Sequence, residues 1–210
     1  MKKTFAFVML TLFCLLGLQA QSSLSLESVC ASLAARPNTT GDFIQIKTIN
    51  ANGRQLKSSG KFIISTIGIM WKTEKPFPSS LILTKDAMIQ IAANGNKSVM
   101  DGKDNQIFAN ISDTLTSVFS GNSNQLKKNF ECTFSGEEKG GWTLELKPKD
   151  STIASVMERL VLSGALENGA AVLGKLEMAE TSGNKIIYEF TNQKYPEELS
   201  ADEKQNFIAE

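Results

Sequence analysis

The sequence predicts a mainly β protein with some α, built as a large antiparallel curved sheet covered by amphipathic helices. Three observations predict it. Apolar, β-branched runs recur about every ten residues, separated by turn signals such as Asn94-Gly95 and Glu167-Asn168-Gly169. One stretch, Asn105 to Phe119, changes to three- and four-residue spacing. A third, Gly60 to Trp71, is bulky and apolar on both parities, where a half-solvated strand would alternate.

Taken in order, Leu26 to Ala35 carries Leu26, Val29, Cys30 and Leu33 on one stripe and reads as a short helix stopped by Arg36-Pro37. Strands follow over Asp42 to Ile49, Gln55 to Ser65, Gly68 to Thr73, Ser80 to Thr84 and Ala87 to Ala92. Asn52-Gly53 turns between the first two, and Asp101-Gly102 marks a later turn. In the helix Asn105 to Phe119, the apolar face is Ile107, Phe108, Ile111, Leu115, Val118 and Phe119, and Ser120-Gly121-Asn122 ends it. A short helical piece, Asn124 to Lys128, leads to a strand around Cys132 and, past the turn Gly136 to Gly141, to Trp142 to Lys147. A helical turn near Ile153 to Met157 precedes strands Arg159 to Leu162, Ala171 to Met178 and Lys185 to Thr191, the last two joined by Ser182-Gly183-Asn184. The tail from Tyr195 is polar and closes with a weak strand around Phe207.

The chain start has its own pattern. Lys2-Lys3, the apolar run Phe5 to Leu18 and then Leu18-Gln19-Ala20 form a secretory signal peptide, with Cys14 inside the apolar run. The run is shorter than the about 20 residues a membrane span needs. Cleavage after Ala20 starts the mature chain at Gln21, leaving residues 21–210 as one domain and the protein in an exported compartment. A chain of this size buries about 70% of its unfolded surface and needs no staple. The 22 basic and 22 acidic residues become 20 and 22 without the leader, a net charge of −2. No basic patch appears, so nucleic acid is not an expected partner, and no later segment is apolar enough to span a bilayer.

Catalytic chemistry has little to work with. The chain has no histidine, which removes Ser-His and Cys-His catalysis. It has no Cys-x-x-Cys, nucleophile elbow or phosphate loop. The carboxylate pairs Glu137-Glu138, Glu197-Glu198 and Asp202-Glu203 sit in polar turn-like segments. No enzyme activity, catalytic residue, metal or cofactor is therefore expected. Cys30 and Cys132 both fall in step with apolar neighbours. They read as two buried thiols or, in an exported compartment, as a disulfide.

A large sheet has two faces, and only one is solvated cheaply. The helix Asn105 to Phe119 and the N-terminal helix are the available covers for the other. The bulky residues of Gly60 to Trp71 then line a concave face around an apolar ligand cavity, or pack as ordinary core; on residues alone both readings stand. Met70, Met88, Met100 and Met157 fit either.

Gly41-Asp42-Phe43-Ile44-Gln45, then Ser59-Gly60-Lys61-Phe62, then Trp71-Lys72-Thr73-Glu74-Lys75-Pro76 resemble, in order and spacing, the periplasmic outer-membrane lipoprotein carrier (LolA) family. The helix bearing Leu115 and Phe119 with Gly121, Leu176-Glu177-Met178, and Gly183-Asn184-Lys185-Ile186-Ile187-Tyr188-Glu189-Phe190 continue the resemblance, which spans Leu24 to Phe207. It implies an unclosed half-barrel with helices as a lid over an apolar cavity. It also implies a periplasmic monomer that binds the acyl chains of lipoproteins and shuttles them from inner to outer membrane. The implied partners are an inner-membrane releasing transporter and an outer-membrane acceptor. Ile69, Trp71, Phe62 and Ile64 are the expected wall of the acyl cavity, faced by Ile107, Leu115 and Phe119 from the helix. Phe43 and Gln45 match the family pattern without an assigned facing. Many members carry Arg-Pro in the strand before the tryptophan, the arginine holding the lid. Here the stretch reads Ser65-Thr66-Ile67-Gly68, with Thr66 at the arginine's place. Threonine has none of the five forked donors of arginine, so that release mechanism is not carried over. A carrier of another lipid or glycolipid, and a non-transporting exported structural β-protein, stand as the alternatives.

Overall fold

The first and last strands of the chain pair in the middle of the sheet, and this decides where everything else lies. In the computed structural model, residues 24–101, 106–137 and 140–208 are described, residues 106–111 and 113 by their backbone alone. The expected leader Met1–Ala20, the cleavage point before Gln21 and Gly102 lie outside these residues.

Helix α1 (Leu26–Ala34) comes first, then strands β1 (Asn38–Thr48), β2 (Gln55–Ser65), β3 (Gly68–Lys75), β4 (Ser79–Leu83), β5 (Ala87–Ile91) and β6 (Lys97–Asp101). Helices α2 (Gln106–Phe119) and α3 (Ser123–Asn129) lead to β7 (Phe130–Gly136) and β8 (Trp142–Pro148). Helix α4 (Ser151–Ala154), β9 (Met157–Glu167), β10 (Ala170–Glu180), β11 (Lys185–Lys194) and α5 (Ala201–Gln205) complete the chain. The eleven strands form one antiparallel sheet in the order β6-β5-β4-β3-β2-β1-β11-β10-β9-β8-β7. It is unclosed, as expected: β6 and β7 are its two edges. Because β6 and β7 are consecutive in sequence, the chain must cross from one edge to the other, and α2 and α3 are that crossing.

The turns follow from backbone chemistry. Asn168 and Gly169 both have φ near the left-handed region, 52° and 81°, which is what a two-residue hairpin asks of its central residues. Helix α1 is held at its start by Ser25, whose hydroxyl accepts from the Ser28 amide at 3.1 Å while Ser28 Oγ accepts from the Ser25 amide at 2.9 Å.

The register sorts the two parities of Gly60 to Trp71. Phe62, Ile64, Ile69 and Trp71 face the helices, in one core with Phe43, Leu83, Leu115, Val118 and Phe190. Ile63 pairs with Met70, Met70 with Ile82 and Ile82 with Ile89, and this row lies on the opposite face. There it makes a second core with Leu199 and Phe207 from the chain after β11. The expectation that the whole run lines one concave face is thus corrected, Met70 included: successive side chains of a strand leave opposite faces. Met88 packs against the inner core and Met157 lies within it.

The expected strand around Phe207 is also corrected. Ser200 caps α5 by accepting from the Glu203 amide at 3.3 Å, while Glu203 Oε2 accepts from the Ser200 amide at 2.8 Å. This turn of helix swings Phe207 under Gly68 and onto the outer face. β6 was not expected: Lys97-Ser98-Val99-Met100-Asp101 is an edge strand with one neighbour, and little of it is apolar.

Candidate functional site

The inner face changes character along β1. Phe43 is fully buried; two residues on, Gln45 is partly exposed, and then comes Lys47. Phe43, Phe62 and Phe190 close the first part, with Phe62 and Phe190 edge to face at 4.8 Å. Next to them lie Tyr188, paired with Gln45, and Trp71, paired with Phe62 and Leu81. The Trp71 and Tyr188 rings are 5.8 Å apart, and Tyr188 stacks at 6.3 Å on Phe190. Trp71, Leu81, Met88, Met178 and Tyr188 are each half-buried against the core rather than sealed within it.

A short polar chain runs through this aromatic wall. Ser58 Oγ donates to Gln45 Oε1 at 2.7 Å, and Gln45 Nε2 donates to the Tyr188 hydroxyl at 2.5 Å. Burial pushes the Tyr188 phenol up to about 12, the bond from Gln45 only partly offsetting it, so the group stays neutral and protonated. Trp71 Nε1 is buried and has no hydrogen-bond partner.

Beyond Gln45 the inner face ends in an ion pair, Lys47 Nζ to Glu180 Oε1 at 3.0 Å. Burial pushes the Glu180 carboxyl up, but bonds from Asn184, Lys47 and Ser182 outweigh it and hold the group below its usual range. A carboxyl with a depressed pKa adds stability that is complete above its unfolded value and is lost as pH falls through its folded one. Glu180→Gln is therefore expected to remove part of the acid-side fall in stability below about pH 4.5. Thermal melts at pH 7 and pH 3.5 check this: the two proteins should differ more at the higher pH.

The cover above this wall comes from α1, α2 and α3. Helix α2 buries Leu115 and Val118, but also Ser112, Thr114 and Ser117, and Ser112 Oγ donates to the Thr84 carbonyl at 3.3 Å. Helix α1 is anchored to β10, where the Ala171 amide donates to Ser32 Oγ at 2.7 Å. Arg36 follows the helix, stacks on the Tyr195 ring at 3.8 Å and donates to the Ala171 carbonyl at 3.4 Å. Around Arg36, Leu33, Phe62, Ile64 and Phe119 the remaining space is about 10 Å³, room for one water at most.

Among the expected cavity residues, Phe62, Ile64, Ile69 and Leu115 are sealed in the core, whereas Trp71 and Phe119 are half-buried beside it. The side chain of Ile107 lies outside the described residues. Phe43 and Gln45, whose facing was open, both point inward. Thr66 is exposed at the β2–β3 turn. Sequence reasoning missed Tyr188 and Arg36 as parts of this site. Arg36 was visible only as the residue before a proline, and Tyr188 only as one position of a strand. Both thiols are free, and burial, with the Glu27 and Cys132 charges adding to it, pushes Cys30 up to about 11. A thiol held there is neutral at pH 7 and a poor nucleophile. Among the described residues no group of three or more Cys, Asp or Glu is arranged to hold a metal.

No curated protein matches the sequence. Among solved structures, a DUF1329 family protein from Desulfovibrio piger shares the fold, with a TM-score of 0.51 at 12% identity over 88% of this chain and 95% of that one. A LolA superfamily protein from Nitrosomonas europaea has a TM-score of 0.45 at 7% identity, over 89% and 98% of the two chains. A domain assigned to outer membrane lipoprotein sorting in Vibrio parahaemolyticus gives 0.41 at 10%, over 87% and 99%. The family described as outer membrane lipoprotein carrier protein LolA matches residues 37–204, from the proline before β1 to the penultimate residue of α5. That match takes in the whole sheet and the crossing laid over it, so the chain belongs to the LolA family.

Proposed function

We propose that this protein is an exported, periplasmic carrier that holds the acyl chains of a lipoprotein against the inner face of its sheet and carries them from inner to outer membrane. The observation that carries the reading is the crossing from β6 to β7. It brings α2 into one core with the half-buried Trp71, Leu81, Met88 and Tyr188, and there α2 buries the hydroxyl residues Ser112, Thr114 and Ser117 beside Leu115 and Val118. Over the described part of α2, hydroxyl groups buried beside Leu115 and Val118 gain less than an all-apolar face would, which lowers the cost of lifting the cover. An acyl chain gains about 0.8 kcal/mol for each CH₂ it buries, which suffices to displace such a cover. Because the space between Arg36 and Phe119 is far too small for a chain, cargo reaches that part of the inner face only as the cover rises. Trp71 and Phe119, at the boundary of the packed core, meet it first; Phe62, Ile64, Ile69 and Leu115 form the floor it uncovers.

The carrier works as a single 21–210 domain and a monomer, taking cargo from an inner-membrane transporter and yielding it to an outer-membrane acceptor. It needs no covalent chemistry. An environment-sensitive fatty-acid probe is expected to bind the mature protein, and Trp71→Glu to weaken that binding at least ten-fold with the sheet intact by circular dichroism. Ile69→Asp would place a charge in the sealed core and lose the fold instead. A folded Trp71→Glu protein with unchanged affinity removes the inner face from the reading. Cargo that co-purifies with the exported protein, weighed by native mass spectrometry, separates a lipoprotein from another lipid or glycolipid. Its absence, together with a silent probe, leaves a structural β-protein.

A further inference from the structure

The wall beneath α2 carries donors without acceptors. Trp71 Nε1 is buried with its proton unbonded. On the adjoining ring, 5.8 Å away, the Tyr188 oxygen already accepts from Gln45. Gln45 is fixed in that orientation because its own oxygen accepts from Ser58. None of these bonds uses the phenol's proton, so Tyr188, like Trp71, has a proton to give. Both groups are neutral, and the charge closest along β1, Lys47, is already paired with Glu180. Two neutral donors in an aromatic wall suit an uncharged acceptor. A carboxylate or phosphate would require a cation to offset its desolvation, and among the described residues the ring and hydrogen-bond partners of Trp71, Tyr188 and Gln45 include none. A plain hydrocarbon would leave both protons unused.

We infer that Trp71 and Tyr188 form a carbonyl-binding spot that takes an ester or amide carbonyl at the head of an acyl chain. The inference rests on the carrier reading and deepens it. The hydrocarbon tail supplies affinity on any apolar wall, whereas the carbonyl fixes how far the chain enters. Trp142 is the internal contrast: its Nε1 is also unpartnered, but the ring is sealed in the core against the Gly164 backbone, where no ligand reaches.

The chain has two tryptophans, so a protein labelled with ¹⁵N at the indoles gives two side-chain N–H resonances that report separately. The probes are monolauroylglycerol and its ether counterpart, 1-O-dodecylglycerol, which differ in the carbonyl. The ester is expected to bind about five-fold more tightly, the gain typical of one hydrogen bond. It should also move the Trp71 resonance downfield and leave that of Trp142 in place. Trp71→Phe should still bind both probes but lose the preference, and Tyr188→Phe should reduce it. If ester and ether bind equally and neither moves the Trp71 resonance downfield, the carbonyl spot is wrong while the carrier reading stands. If neither probe binds, the carrier reading fails and the inference with it. Retention of the Trp142 resonance certifies that each variant is folded.

Discussion

Phe207→Ala is expected to lower the melting temperature of the mature protein by about 10 °C, and Leu199→Ala with Phe207→Ala to leave little folded protein at 37 °C. The outer face of β2 to β5 carries Ile63, Met70, Ile82 and Ile89, each at most 4% exposed, although no helix of the inner layer covers them. Their cover is the segment after β11. It is fixed at its start where Asn38 Nδ2 donates to the Glu197 carbonyl at 2.8 Å, and it ends with Leu199 and Phe207 against the row. Truncating a buried Leu or Phe costs about 2–5 kcal/mol, against a total stability of about 5–15 kcal/mol. For a domain of this size each kcal/mol moves the midpoint by about 2–4 °C. Ending the chain after Lys194 should be worse still, since a contiguous apolar patch would face water and drive self-association. Thermal melts and gel filtration read both effects. A shift under 2 °C for Phe207→Ala would show that the tail is an ornament and that the row is buried by something else.

That second core also marks the limit of what the sequence shows. The anomaly was legible: Ile63 and Met70 are apolar where a strand with one wet face would be polar. Its cause was not, because the residues that cover them lie more than a hundred positions away and join them only once β11 has paired with β1. Local chemistry carried further. Asn52-Gly53, Asn94-Gly95 and Asn168-Gly169 announce turns because few other residues accept the left-handed backbone those places require. The helical spacing from Gln106 to Phe119 announces α2. Ser200 and Glu203 spelled a helix start just as clearly, but the expectation of a closing strand passed over it.

The site was legible as a face and not as a depth. Phe62, Ile64, Ile69 and Trp71 share one parity, which the sequence shows. Whether each is sealed or half-buried depends on where α1 and α2 come to rest, which parity does not encode. Gln45 and Tyr188 meet only through the β1–β11 pairing, so no local pattern could join them. Arg36 likewise gains its role from Tyr195 and Ala171, both far along the chain. The strand position from which, by the family resemblance, an arginine would hold the lid carries here an exposed turn residue, Thr66. Arg36 instead holds the end of α1 to β10, a different joint of the same cover.

The largest effects are expected at two strand glycines. A Cβ on Gly60 would run into the carbonyl of Lys72 on β3, and one on Gly164 into the carbonyl of Val172 on β10. The obstacle in both cases is backbone, which cannot rotate away as a side-chain tip would. At Gly164 the Trp142 ring stands 2.8 Å from the same point, so neither side offers relief. Both glycines lie next to a register shift, between Ser59 and Gly60 on β2 and between Leu173 and Lys175 on β10. An irregular ladder bends its strand and tightens the local twist, and glycine permits the neighbouring backbone to come that close. Opening the ladder to fit even a methyl group would break sheet hydrogen bonds in the middle of β2 or β9. Gly60→Ala and Gly164→Ala are therefore expected to cost more than about 4 kcal/mol each, the range reserved for core disruption, and to send the protein into the insoluble fraction. Gly95→Asn is the control. Gly95 has a φ of 81° and nothing within 4 Å of its added Cβ, and asparagine tolerates that backbone, so its melt should match the parent's within about 2 °C. Soluble, parent-like Gly60→Ala and Gly164→Ala proteins would mean that the sheet has slack at these two bends, and that its curvature does not depend on close backbone approach.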